Sequence, residues 1–214
     1  MPEPACTPAA PDRPRDRTLV IACGALVREL RAVLGQVPGS TEAVEVVYLP
    51  ANLHNRPDAI PAAVAAAVAA AGTPDRIFVA YADCGTGGLL DVTLTRLGAV
   101  RLPGAHCYEF FAGPERFAAL AGAEPGTFYL TDFLARNFDA LVIGGLGLDR
   151  HPELRDQYFA HYTRVVLLSQ TDDGAVVRMG RAAAARLGLA FDHVPVGLEP
   201  FRTAVVGARD RVGA

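Results

Sequence analysis

The stretch RIFVAYADCGTGG, residues 76–88, decides the fold class. After Arg76 six apolar residues run without a polar break, the length and composition of a buried strand. The run stops at Asp83-Cys84, and the glycines that follow turn the chain into a helix. Two other stretches end in a similar way, TLVIACG (residues 18–24) and LVIGGLG (residues 141–147). Further strands are expected at 44–49, 100–102, 127–130, 164–168 and 190–194, and the third Gly-ended run puts one at 140–143. Helical stretches lie between them, among them the Ala-rich 59–72 and the clear amphipathic 174–187. Apolar strands alternating with helices predict βαβ units. The expected fold is therefore α/β, a Rossmann-like, doubly wound and mainly parallel sheet with helices on both faces. Residues 18–200 are expected to form a single domain, with 1–17 a disordered tail and 201–214 a loosely attached one.

Composition narrows the chemistry. All 20 basic residues are Arg and there is no Lys, which excludes Schiff bases, a PLP anchor and a P-loop lysine. Ser occurs only at 40 and 169, neither within G-x-S-x-G, so a hydrolase nucleophile elbow is absent. A net charge of −3 gives no basic stripe for nucleic acid, and no apolar run reaches membrane-spanning length. The first 17 residues lack an apolar core of a signal peptide. A cytoplasmic protein is expected, without nucleic-acid or membrane partners, and its four Cys should be reduced.

In a parallel sheet, ligands collect at the carboxyl ends of the strands. Cys23 follows the first strand, His54 the second and Cys84 the third, while Cys107 lies just beyond the fourth. Three thiols and an imidazole gathered from separate strand ends suit zinc, or an iron–sulfur cluster with one corner not held by Cys. Cys23, Cys84 and Cys107 are therefore candidate metal ligands, with His54 or Glu109 as fourth ligand or base. Glu109 enters because alternation in an extended 106–109 segment would put it on the face of Cys107, with His106 on the other. Each Cys taken singly has a simpler explanation, packing at a tight turn. Gly85, Gly87 and Gly88 form a turn whose N–H groups could cradle an anion or cofactor, or could serve the turn alone. Arg150 and His151, expected at the end of the 140–143 strand, would face the same cavity, Arg150 as an anion clamp. Asp132 and Asp149 are expected to cap helices.

The stretches LPANLHNRPDAIP (49–61), YADCGTGG (81–88), HCYEFFAG (106–113), FYLTDFLARNFD (128–139) and GLDRHPELRDQYF (147–159) resemble an uncharacterised prokaryotic family catalogued as a domain of unknown function. The resemblance covers roughly residues 18–190. Its members often stand beside corrinoid-dependent methyltransferases and corrinoid proteins, which implies one-carbon metabolism and a corrinoid protein as partner. Combined with the thiols, this gives the first expectation, a thiolate–metal enzyme or accessory factor in methyl or thiol transfer, acting on a small molecule. A second is a metal-free enzyme with two Cys as acid and base, akin to cofactor-independent racemases, whose Gly-rich loop the DCGTGG turn distantly resembles. A third is a non-catalytic module for a small anion or cofactor.

Overall fold

The computed structural model describes residues 17–35 and 44–212. The first half of the chain runs β1 (Thr18–Cys23), α1 (Val27–Leu34), β2 (Val44–Leu49), α2 (Ile60–Ala71), β3 (Arg76–Ala80), α3 (Leu89–Leu97) and β4 (Val100–Arg101). Two helices follow, α4 (Cys107–Ala112) and α5 (Pro114–Ala123). The second half runs β5 (Thr127–Thr131), α6 (Asp132–Arg136), a π-helical turn at Asp139–Ile143 and α7 (Arg155–Tyr158). It ends with β6 (Arg164–Ser169), α8 (Gly174–Leu187), β7 (Ala190–Pro195) and α9 (Glu199–Val212).

The parallel α/β architecture is as the sequence predicts, but the strands divide between two sheets. One has the order β2-β1-β3-β4, the other β5-β6-β7, and every pairing in both is parallel. In β1, residues 19–22 are all fully buried because both faces of the sheet are covered. Leu19 and Ile21 pack with Ile60, Val64 and Leu90 of α2 and α3. Val20 and Ala22 point the other way, to Leu30 of α1 and to α4 and α9. In the second sheet Val165 and Leu167 meet α6 and α8, while Val166 and Leu168 lie beneath Tyr129 and the α4–α5 corner.

Two expectations fail. Residues 140–143 do not form a strand; they are the π-helical turn, whose Val142 and Ile143 are buried against Phe138 and Leu148. An apolar run of four residues satisfies a buried helix turn as well as a strand, and here the second sheet closes without it. The 201–214 segment is not a loose tail as far as 212. It is α9, which returns from the second sheet to cover the first, and Phe201, Val205 and Ala208 are fully buried there. Their i, i+4, i+7 spacing is one helical stripe. Phe201 meets Phe110 and Phe111 of α4 at ring-centroid distances of 5.3 and 5.2 Å. The remaining tail, residues 1–16, lies outside the described residues, and Cys6 with it. Among the described residues no helix is long and apolar enough to cross a membrane.

Candidate functional site

In the first sheet the chain passes from β1 outward to β2, then crosses back to β3 on the other side of β1. The topological switch point therefore lies between β1 and β3, where a crevice opens beyond their carboxyl ends. Cys23 is the last residue of β1 and Cys84 stands in the turn after β3. Cys107 begins α4, the short helix wedged between the two sheets, whose Phe110 packs on the first core and whose Tyr108 lies 5.5 Å from Tyr129 in the second. Cys23, Cys84 and Cys107 all line one small cavity of about 40 Å³, as do His54 and Tyr81. Thr131, Phe133, Leu134 and Leu141 close it from the second lobe.

The turn at Cys84 shows how this convergence is built. Cys84 has φ +52°, the only non-glycine residue with positive φ among the described residues. The Asp83 carboxylate holds the turn from within. It accepts from the Thr86 hydroxyl at 2.6 Å, from Gly88 N at 2.9 Å and from Gly87 N at 3.1 Å. The amides of Gly87 and Gly88 that an anion cradle needs are thus engaged by the chain's own acid, and Gly85 sits beside Pro57. The Cys84 amide donates to Ala105 O at 2.8 Å, which brings the start of α4 alongside.

Burial dominates the electrostatics. It lifts the Cys84 thiol to about 12, with the neighbouring Cys23 sulfur adding to the rise. Burial likewise raises Cys23, against the help of the Ala25 amide and the Tyr81 hydroxyl, and it raises Cys107 with Cys84 and Cys23 contributing. The thiols are close enough that ionising one disfavours ionising the next. Tyr81 is raised by burial and by the same sulfurs. Its hydroxyl lies near Cys23 yet has no hydrogen-bond partner of good geometry among the described residues. His54 reaches the cavity from an exposed rim position, and desolvation of its ring together with nearby His106 holds it below the usual imidazole range. Among the described residues no three His, Cys, Asp or Glu side chains stand positioned to hold a metal ion.

Three further candidates lie elsewhere. The 107–109 segment is the first turn of a helix, so Cys107 and Glu109 do not share a face. Glu109 turns back to accept from Ala105 N at 2.9 Å and covers Gly104 (φ +95°), closing the start of α4. Arg150 and His151 follow the π-helical turn rather than a strand and face solvent. Arg150 stands 3.9 Å from Asp149 and His151 3.3 Å from Glu153, both outside the cavity. Capping also differs from expectation. Thr131 caps α6 through its hydroxyl, while Asp132 ties β5 to β6 by accepting from Gln170 N at 3.0 Å and from the Thr171 hydroxyl. Asp149 caps neither helical turn that follows it.

A family model described as protein of unknown function (DUF1638) matches residues 48–205, from the end of β2 into α9. The chain belongs to this family. The DUF1638 match covers β3, β4 and the whole second sheet and includes His54, Cys84 and Cys107, while β1 with Cys23 and most of β2 lie upstream of it. No curated protein and no solved structure matches.

Beside the thiol cavity, and sharing Ala25 and Phe133 with it, lies a larger cleft between the lobes, of about 460 Å³. Sequence reasoning missed it. One signal was present: Glu29 is a charge on the apolar stripe of Leu26, Leu30 and Val33. Tyr81 was likewise passed over as part of a strand.

Proposed function

We propose that Cys23, Cys84 and Cys107 hold a single soft cation, zinc before iron, with His54 as the fourth ligand. The observation that carries this is that three Cys, from β1, the β3–α3 turn and α4, line one cavity of about 40 Å³ and that each thiol's charge is felt by the next. That volume suits an ion or a water, not an organic substrate, and an iron–sulfur cluster would need more room. Buried thiols that repel one another as anions gain most from a cation, which releases their protons on binding. Loading draws the sulfurs inward toward zinc–sulfur distances of about 2.3 Å. A left-handed Cys84 is a backbone cost of the kind found at ligand sites.

The two-thiol acid–base reading is less well supported. It leaves the third Cys without a role, and thiols that remove and return a proton must flank a substrate, for which a cavity of about 40 Å³ has no room. A zinc thiolate site with His54 at an exposed rim activates an incoming thiol better than it makes hydroxide, since the sulfurs already donate charge to the metal. The finer task proposed is therefore methyl or thiol transfer, as enzyme or accessory factor in corrinoid-linked one-carbon metabolism with a corrinoid protein as partner. That part rests on the resemblance together with the thiols. Metal analysis of the purified chain tests the site. About one zinc per chain is expected, and little in a Cys84→Ser variant that remains folded. Less than about half an equivalent, or an amount unchanged in the variant, overturns the proposal.

A further inference from the structure

Tyr81 follows the last residue of β3 and lines the thiol cavity. The residue is 2% exposed, and its hydroxyl is buried without a hydrogen-bond partner among the described residues. A buried hydroxyl that forms no bond costs stability that a phenylalanine ring would not. The Cys23 sulfur stands within its reach. A neutral thiol is a weak acceptor and a thiolate a strong one, so this pair closes a hydrogen bond when the sulfur carries charge.

The rest of the cavity wall shows what such a bond does. Three thiolates, a neutral imidazole and a divalent cation leave one negative charge among apolar walls such as Leu26, Ile60, Phe110 and Phe111. Among the described residues no Arg lines the cavity, and the chain has no Lys. Arg101 feels the charge of Cys84 but is held outside the cavity by Asp91, at 2.6 and 2.9 Å. Backbone amides serve the sulfurs, Ala25 at Cys23 and Tyr108 at Cys107. Of the described lining residues two carry hydroxyls, Thr131 and Tyr81. Thr131 is engaged as the cap of α6, accepting from Leu134 N at 3.3 Å, and Tyr81 is not engaged. We propose that Tyr81 is a positioning residue of the thiol site, donating its O–H to the Cys23 thiolate once a cation is held. The bond takes up part of the residual negative charge, fixes the Cys23 side chain and leaves Cys84 and Cys107 as the more electron-rich sulfurs. The inference rests on the proposed metal site and adds to it the group that stabilises its charge.

Tyr81→Phe keeps the ring and removes only the hydroxyl, and cobalt(II) reports on the sulfurs through its thiolate charge-transfer bands. The parent chain and the variant should each bind about one cobalt. A hydrogen bond withdraws electron density from a thiolate and moves its charge-transfer band to higher energy, so the bands of Tyr81→Phe should lie at longer wavelength. Zinc affinity, read by competition with a chromophoric chelator, should fall about tenfold in the variant. Metal-free Tyr81→Phe should unfold at the parent's urea midpoint or above it, because the hydroxyl has no partner until the cation arrives. Bands that do not shift or an affinity that does not change overturns the proposal. So does a metal-free variant that is destabilised or fails to fold, since the hydroxyl would then be bonded within the metal-free protein. A parent chain that binds no cobalt instead overturns the metal site itself, and this inference with it.

Discussion

Cys84 occupies a backbone region that side chains enter at a cost of about 1 kcal/mol or more, and the Asp83 hydrogen bonds hold it there. Glycine pays no such penalty. Cys84→Gly should therefore keep metal-free stability within about 1 kcal/mol of the parent in urea titration, while losing metal. A larger drop would mean that the thiol serves packing. At Glu29 the sign of the pH effect follows from burial. Its folded-state pKa is raised, so its contribution to stability is full below the ordinary carboxylate pKa and is lost as pH rises through the raised value. Glu29→Gln should thus gain on the parent as pH climbs from about 4 toward neutrality, measured by urea midpoints across that range. A difference independent of pH would contradict the assignment. The cysteine positions were legible in the sequence because strand ends define an edge of the sheet before any coordinate is known. Glu109 was not, because one residue of helix at Cys107 turns its side chain from the cavity to the Ala105 amide.

The segment 139–147 joins the lobes at the level of elements. Asn55, in the loop after β2, donates to Leu141 O at 2.8 Å, and Leu141 in turn lines the thiol cavity. Gly145 lies against this bridge. A Cβ there would stand 2.1 Å from Leu141 O and 2.2 Å from Asn55 Nδ2. Gly145→Ala should destabilise the fold by about 1–3 kcal/mol, read from denaturant unfolding. An unchanged midpoint would show that the bridge is not maintained in solution. The sequence LVIGGLG reads like the two true strand ends because apolarity and terminal glycines are common to both. What separates them is tertiary: β5 and β6 pair directly, leaving no ladder for a strand between them. π-helical turns gather at functional sites, and this one closes a cavity.

At the scale of the molecule, α4 and α9 make one body of two sheets. Helix α4 touches both cores, and α9 carries the chain end back across the first. Strand positions and parallel pairing were readable from local apolarity, but the division into two sheets was not, because each strand is equally apolar in either. The Arg-rich surface of α9 hid its buried stripe, Phe201, Val205 and Ala208. Phe201→Ala should cost about 3–5 kcal/mol in denaturant unfolding, and a cost below about 1 kcal/mol would contradict a structural role for α9. That body brings three thiols from three elements to one cavity, and the central claim is that they hold a metal. X-ray absorption at the zinc edge of the zinc-loaded chain tests it most directly. The account predicts three sulfur scatterers at about 2.3 Å and one nitrogen at about 2.0–2.1 Å. A first shell of oxygen and nitrogen alone would contradict it.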